Sequence, residues 1–247
     1  MAVTALAAGG TSLLGVEVLL ARRGPMPDPG PPVPDDIPAG PPGPPAGTVV
    51  WVGDSSAAGL GATEPAGTLP AQVAALLGRP VRLTVLARSG DRVADVLRDQ
   101  LPKLSDLRPM LVFVSVGAND TAHLTPRPRF RRDYAALLAG LPPSVDTVVV
   151  LGVPDGGAPP RLAQPLRAVA GWRGRRLDID ARRITTRFPQ ARYVDIAGRT
   201  GPRFRAHPTT YFAPDRYHPN DAGYGLWAEA VAGALGGRHP VGNRLRS

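Results

Sequence analysis

Thr48-Val49-Val50-Trp51-Val52-Gly53-Asp54-Ser55 passes within three residues from an unbroken β-branched and apolar run into a small polar segment. A run without polar alternation fits a strand buried on both faces, as in a parallel sheet covered by helices. Comparable runs stand at 81–87, 110–116, 147–153 and 192–196, each bounded by turn residues. Between them, segments at about 69–78, 91–100, 128–140, 160–188 and 220–235 carry helical spacing. Five strands joined by crossover helices predict an α/β fold: a three-layer α/β/α sandwich around a five-stranded parallel sheet. Ligands of such sheets bind outside the carboxyl ends of the strands.

The flanks differ in composition. Residues 2–21 are nearly all apolar and are followed by Arg22-Arg23, about the length that spans a bilayer. A cleaved signal peptide carries its basic residues ahead of the apolar run; here they follow it, so residues 1–23 are expected to be a retained membrane anchor. Residues 24–47 hold eleven prolines between Pro25 and Pro45 and are expected to be an extended linker that forms neither helix nor ladder. The catalytic domain is then 48–237, with a basic tail at 238–247. Arg22-Arg23 favours a cytoplasmic domain, whereas a stiff spacer favours reach away from the bilayer, in a cell envelope or secreted.

The chain has 247 residues and a formal charge of +9, with Lys103 its one lysine. Its arginines are scattered beside aspartates and aromatic residues make up only 5%, which argues against a nucleic-acid partner. With no cysteine, disulfides and thiolate metal sites are excluded.

Ser55 sits where the first strand gives way to small residues, and the turn Ser56-Ala57-Ala58-Gly59 is expected to lead into a helix. A hydroxyl there would meet free N–H groups and the positive end of the dipole, although an ordinary N-cap serine has the same pattern. Downstream stand three His-Pro pairs, at His207, His218 and His239. Only His218 has a carboxylate three residues earlier, Asp215; the others have Phe204 and Gly236. An acid at that spacing can fix the imidazole tautomer and leave the other nitrogen for a serine. Gly90 follows the second strand and Gly117-Ala118-Asn119-Asp120 the third. There a bare backbone N–H and an amide can face developing negative charge, or simply make turns. His123 is a candidate for the pocket wall or for a solvent-facing loop, and Asp120 is read as a loop brace. Asp178 and Asp180 have no histidine at ligand spacing, so no metal is expected. Arg129, Arg131 and Arg132 read as a solvated helix face, with contact to phosphate or anionic lipid as the alternative.

These four blocks, Gly53-Asp54-Ser55, Gly90, Gly117-x-Asn119-Asp120 and Asp215-x-x-His218-Pro219, resemble those of the SGNH (GDSL-like) hydrolases in the family's order. The likeness runs from about Thr48 to Leu235. It implies the family's flavodoxin-like three-layer fold, with Ser55 as nucleophile, His218 as base and Asp215 as its orienting acid. Gly90, Asn119 and the N–H of Ser55 would form the oxyanion hole. The expected activity is hydrolysis of acyl esters of small molecules, lipids or sugars without a cofactor. Acyl transfer on the same triad, and a non-catalytic membrane-tethered binding module, are the alternatives.

Overall fold

The computed structural model describes residues 36–236. The expected anchor at 1–23, most of the linker and the tail at 238–247 lie outside the described residues. Among those described, no helix is long and apolar enough to cross a membrane.

Six strands form one sheet: β1 (Ile37–Ala39), β2 (Thr48–Gly53), β3 (Val81–Val85), β4 (Leu111–Ser115), β5 (Thr147–Leu151) and β6 (Ala191–Val194). Their order across the sheet is β1-β3-β2-β4-β5-β6. The five strands expected from sequence are all parallel. The sixth corrects the linker expectation, since Ile37–Ala39 pairs antiparallel with β3. An edge strand bonds on one side only, so alternate residues can do without an N–H donor, and proline is tolerated there. Pro38 stands at the centre of this short edge, opposite Arg82, and Asp36 pairs with the Arg82 guanidinium beside it.

Successive side chains of each strand serve opposite cores. Val49 and Trp51 join Leu83, Phe113, Val149 and Leu151 in one, against the helices Leu69–Leu76 and Asp221–Gly236. Val50 and Val52 join Val112, Val114, Val148 and Val150 in the other, against Arg127–Ala139 and Leu166–Thr185. The period of two thus feeds both layers, and Trp51 stacks on Phe113 with ring centroids 4.3 Å apart. From β2 the chain steps to β3 on one side and then crosses back over β2 to β4 on the other, with all three strands parallel. That reversal opens a crevice at the carboxyl ends of β2 and β4.

Candidate active site

The crevice continues into a cavity of about 1000 Å³ whose wall includes Ser55, Gly90, Asn119 and His218. Each arrives on a different segment: Ser55 two residues past β2, Gly90 beyond β3, and Asn119 in the short helix Ala118–Ala122 after β4. His218 comes from the loop that an isolated bridge between Phe212 and Pro219 closes. Asp215, buried, stands behind the histidine.

The exit of β2 is fixed from both sides. The Gly53 N–H donates to Gln100 Oε1 and its carbonyl accepts from Gln100 Nε2, each at 2.8 Å. On the other side, the Asp54 N–H donates to the Ser115 carbonyl at 3.0 Å. Gly53 has φ +152° and a Cβ there would lie 2.0 Å from the Ser115 carbonyl oxygen, so no other residue fits. Beyond it the chain does not enter a helix as expected. Residues 55–61 form irregular turns, and the first α-helix begins only at Leu69. Gly59 and Gly61 take φ of +80° and +98°, which no continuing α-helix allows. Gly61 also brings this turn against the histidine loop: a Cβ there would meet the Pro219 carbonyl at 2.4 Å.

His218 Nδ1 lies 2.6 Å from Asp215 Oδ2. Because an ionised carboxylate only accepts, the imidazole donates through Nδ1 and leaves Nε2 as an acceptor. The other oxygen, Asp215 Oδ1, accepts from the N–H groups of Tyr217 and His218 at 3.0 and 3.1 Å. Burial alone would raise the pKa of Asp215. The hydrogen bonds from the imidazole and the two N–H groups outweigh it and hold the carboxyl below its ordinary range. The Tyr217 ring packs edge-on against the imidazole, with centroids 5.1 Å apart. Among the described residues Ser55 Oγ has no hydrogen-bond partner, a looseness usual before substrate binds.

The same cavity wall carries donors with bonding capacity to spare. The main-chain N–H groups of Ser55 and Gly90 have no acceptor among the described residues. Asn119 gives one Nδ2 hydrogen to the Asp91 carbonyl at 3.1 Å, which leaves its second free. Asp120 braces the loops, accepting the Val93 N–H at 3.0 Å. Gln100, which the sequence reading passed over, also donates to Asp91 Oδ2 at 2.8 Å. One signal for it was present: Val93, Val96 and Gln100 share a helical face (i, i+3, i+7) otherwise apolar, so an amide there points inward.

Asp54 is 2% exposed. Its Oδ1 accepts the Ser56 N–H and hydroxyl at 3.1 and 2.8 Å, and Ser56 Oγ lies 2.8 Å from Ser115 Oγ. Burial dominates and pushes the Asp54 carboxyl up to about 6, against the pull of the Ser56 bonds and the nearby His218. His123 is exposed at the cavity wall, its Nδ1 2.9 Å from the Asn119 carbonyl. Arg129 and Arg132 both pair with Asp133, while Arg131 is exposed. Asp180 binds the Arg127 guanidinium and Asp178 the Tyr193 hydroxyl. Among the described residues, no group of three or more acids and histidines is placed to hold a metal ion.

The family model for GDSL-like lipases and acylhydrolases matches residues 51–226, which carry every residue of this cluster. The chain belongs to that family, whose fold is that of the SGNH hydrolases. It is 32% identical over 189 residues to a GDSL-like esterase of Mycobacterium tuberculosis, a match that takes in 74% of this chain and 60% of the relative's length. Among solved structures, the lipase/acylhydrolase of Enterococcus faecalis superposes with a TM-score of 0.61 at 20% identity, over 78% of this chain and 96% of that one. The acetylxylan esterase of Geobacillus stearothermophilus gives 0.56 at 20%, over 78% and 96%. An α/β hydrolase from a Lake Arreo metagenome gives 0.60 at 24%, over 78% and 96%. At these identities the structural likeness is one of fold.

Two outcomes are expected. Gln100→Leu strands the buried Gly53 N–H, at a cost of about 1–3 kcal/mol, while the Gly53 carbonyl keeps the Arg88 N–H at 3.3 Å. Stability to urea should drop by about 1–3 kcal/mol, and kcat should fall at least 10-fold with KM little changed; an unchanged kcat would remove Gln100 from the positioning of the strand exit. For Asp54, the folded pKa lies above the ordinary value of 3.8. The native state therefore binds the extra proton between about pH 4 and 6, so raising pH through that window lowers stability. Two pKa units correspond to about 3 kcal/mol. Relative to wild type, Asp54→Asn should gain about that much in urea titrations between pH 4 and 7. Parallel curves would show that Asp54 does not titrate there.

Proposed function

We propose that the protein is a serine esterase that works through an acyl-enzyme on Ser55. The observation that carries this reading is the meeting of two half-sites around one cavity. The wall of that cavity carries a tautomer-fixed imidazole and N–H groups without acceptors among the described residues. His218 Nε2 takes the Ser55 proton as Oγ attacks the ester carbonyl. The carbonyl oxygen becomes an oxyanion held by the N–H groups of Ser55 and Gly90 and the free Asn119 amide hydrogen. Collapse expels the alcohol, which receives the proton from His218. Water, deprotonated by the same imidazole, then releases the acid. Asp215 stabilises the imidazolium without taking the proton.

The lining of the cavity supports a reading of the substrate class. Leu162, Leu166, Val169, Phe204, Phe212 and Trp227 lie on its wall, and a volume of about 1000 Å³ stands at the upper end for small-molecule pockets. Such a lining gains about 0.8 kcal/mol for each methylene buried. The preferred ester therefore has an apolar chain longer than acetyl.

Ser55→Ala should abolish both turnover of p-nitrophenyl esters and labelling by a fluorophosphonate while leaving the circular dichroism spectrum unchanged. Asp215→Asn should lower kcat by about 10⁴-fold, and removal of the Asn119 amide by about 10²–10³-fold. Along a series of p-nitrophenyl esters, kcat/KM should rise about 4-fold per added methylene until the chain fills the cavity. Full activity in Ser55→Ala would overturn the mechanism; a series peaking at acetate would overturn the substrate class alone.

A further inference from the structure

The helix Leu166–Thr185 runs past the mouth of the cavity, to which it contributes Leu166, Val169, Ala170 and Arg173. Its charges are sorted by face. Its two acids turn inward: Asp180 binds Arg127, and Asp178 binds Tyr193 and the Val153 N–H. Its exposed positions are Ala168, Val169, Trp172, Arg175, Arg176, Ile179, Arg182 and Arg183, at the spacing of a single helical stripe. That stripe holds four arginines and no acid, and none of the four arginines forms an ion pair among the described residues. Between them stand three large apolar side chains left in water, with Trp172 51%, Ile179 47% and Val169 37% exposed. The Arg176 guanidinium lies over the Trp172 ring, 4.8 Å from its centroid.

A second feature adjoins the same mouth. Leu124, on the cavity wall, is 63% exposed and takes φ +54°, a conformation rare for a leucine. The loop thus holds an apolar side chain out into solvent beside the entrance.

We propose that this face, formed by Val169, Trp172, Ile179 and the four arginines together with Leu124, docks the protein on an anionic lipid surface. The chemistry is complementary on both counts. Arginines meet the headgroup charge, while tryptophan and aliphatic side chains enter the boundary between headgroups and acyl chains. Docking in this way would turn the cavity mouth toward the bilayer, from which an amphiphilic ester enters without crossing water. The surface is separate from Ser55, so the binding can be measured whether or not the catalytic reading holds.

The protein carries its own probe. Of its three tryptophans, Trp51 and Trp227 are buried and Trp172 is exposed. With vesicles of phosphatidylglycerol and phosphatidylcholine, Trp172 emission should shift to the blue and be quenched by brominated acyl chains. Pure phosphatidylcholine vesicles should give neither effect, and Trp172→Phe should lose both. Each basic residue near such a surface contributes about 5-fold in affinity, so Arg175→Gln with Arg176→Gln should weaken co-sedimentation by about 25-fold. Neither residue lines the cavity, so hydrolysis of a soluble ester should be unchanged in that variant. The proposal is overturned if the protein fails to bind, binds neutral vesicles equally, or binds anionic ones without quenching of Trp172. Binding to dextran sulfate but not to vesicles would also overturn it. So would a blue shift that grows with protein concentration in the absence of lipid, which would assign the face to a second copy of the chain.

Discussion

The end of β2 has no spare room and no free main-chain partner. A side chain at Gly53 would overlap the Ser115 carbonyl, and both polar groups of the Gly53 peptide are taken by one amide, that of Gln100. β3 ends at Val85, paired with Trp51; beyond it the Arg88 N–H still reaches the Gly53 carbonyl at 3.3 Å, and the amide supplies the acceptor for the Gly53 N–H. From Gln100 the bonds continue to Asp91 Oδ2, from the Asp91 carbonyl to Asn119, and from Asp120 to the Val93 N–H. Three strand ends thereby form one hydrogen-bonded unit. Each link is buried or half-buried, where an unmade bond costs more than a made one gains. The relative positions of Ser55, Gly90 and Asn119 follow from this unit and need neither a metal nor a disulfide.

The histidine is held by different means. Its loop is tied down by the Phe212–Pro219 bridge, by Ala213 N–H to the His218 carbonyl at 2.8 Å, and by Asn220. The Asn220 side chain accepts the Gly223 N–H and donates to the Thr210 and Phe212 carbonyls. Contact between the halves passes through Gly61, whose lack of a side chain lets the serine turn touch the backbone at Pro219. A sheet-borne half and a loop-borne half are therefore anchored by separate hydrogen bonds and touch at Gly61. A substitution in one can shift Ser55 against His218 without unfolding either.

Much of this was legible in the chain because burial on two faces leaves an unmistakable apolar run; the five parallel strands lie within two or three residues of the expected bounds. Proline content misled at Ile37–Ala39, because composition describes a segment on average while an edge strand needs only one bonded side. The turn after Ser55 was misjudged for a related reason: Ala57 and Ala58 favour helix, but Gly59 and Gly61 are needed for positive φ and close approach. The short pieces Ala118–Ala122 and Pro208–Tyr211 are below the length at which periodicity can register. His218 stood out locally, since its acid is three residues away. Gln100 could not be assigned a partner from sequence, as the peptide it holds lies 47 residues earlier.

Asp54 shows how the site trades stability for electrostatics. Its carboxylate is buried, gains only the Ser56 bonds, and is disfavoured enough that its pKa rises to about 6. A neutral side chain would fold more readily at neutral pH. Yet the same group is close enough to His218 for the two charges to interact, and on the proposed mechanism His218 becomes cationic in each transition state. Asp215 alone meets that cation through a hydrogen bond; Asp54 meets it through space, in a medium where charges are weakly screened. The resting protein therefore carries an anion whose compensating charge appears only while the ester is being attacked. An interaction stronger in the transition state than in the ground state is the kind that raises kcat, so on that mechanism the buried carboxylate beside Ser55 offsets its cost to folding with a contribution to the rate.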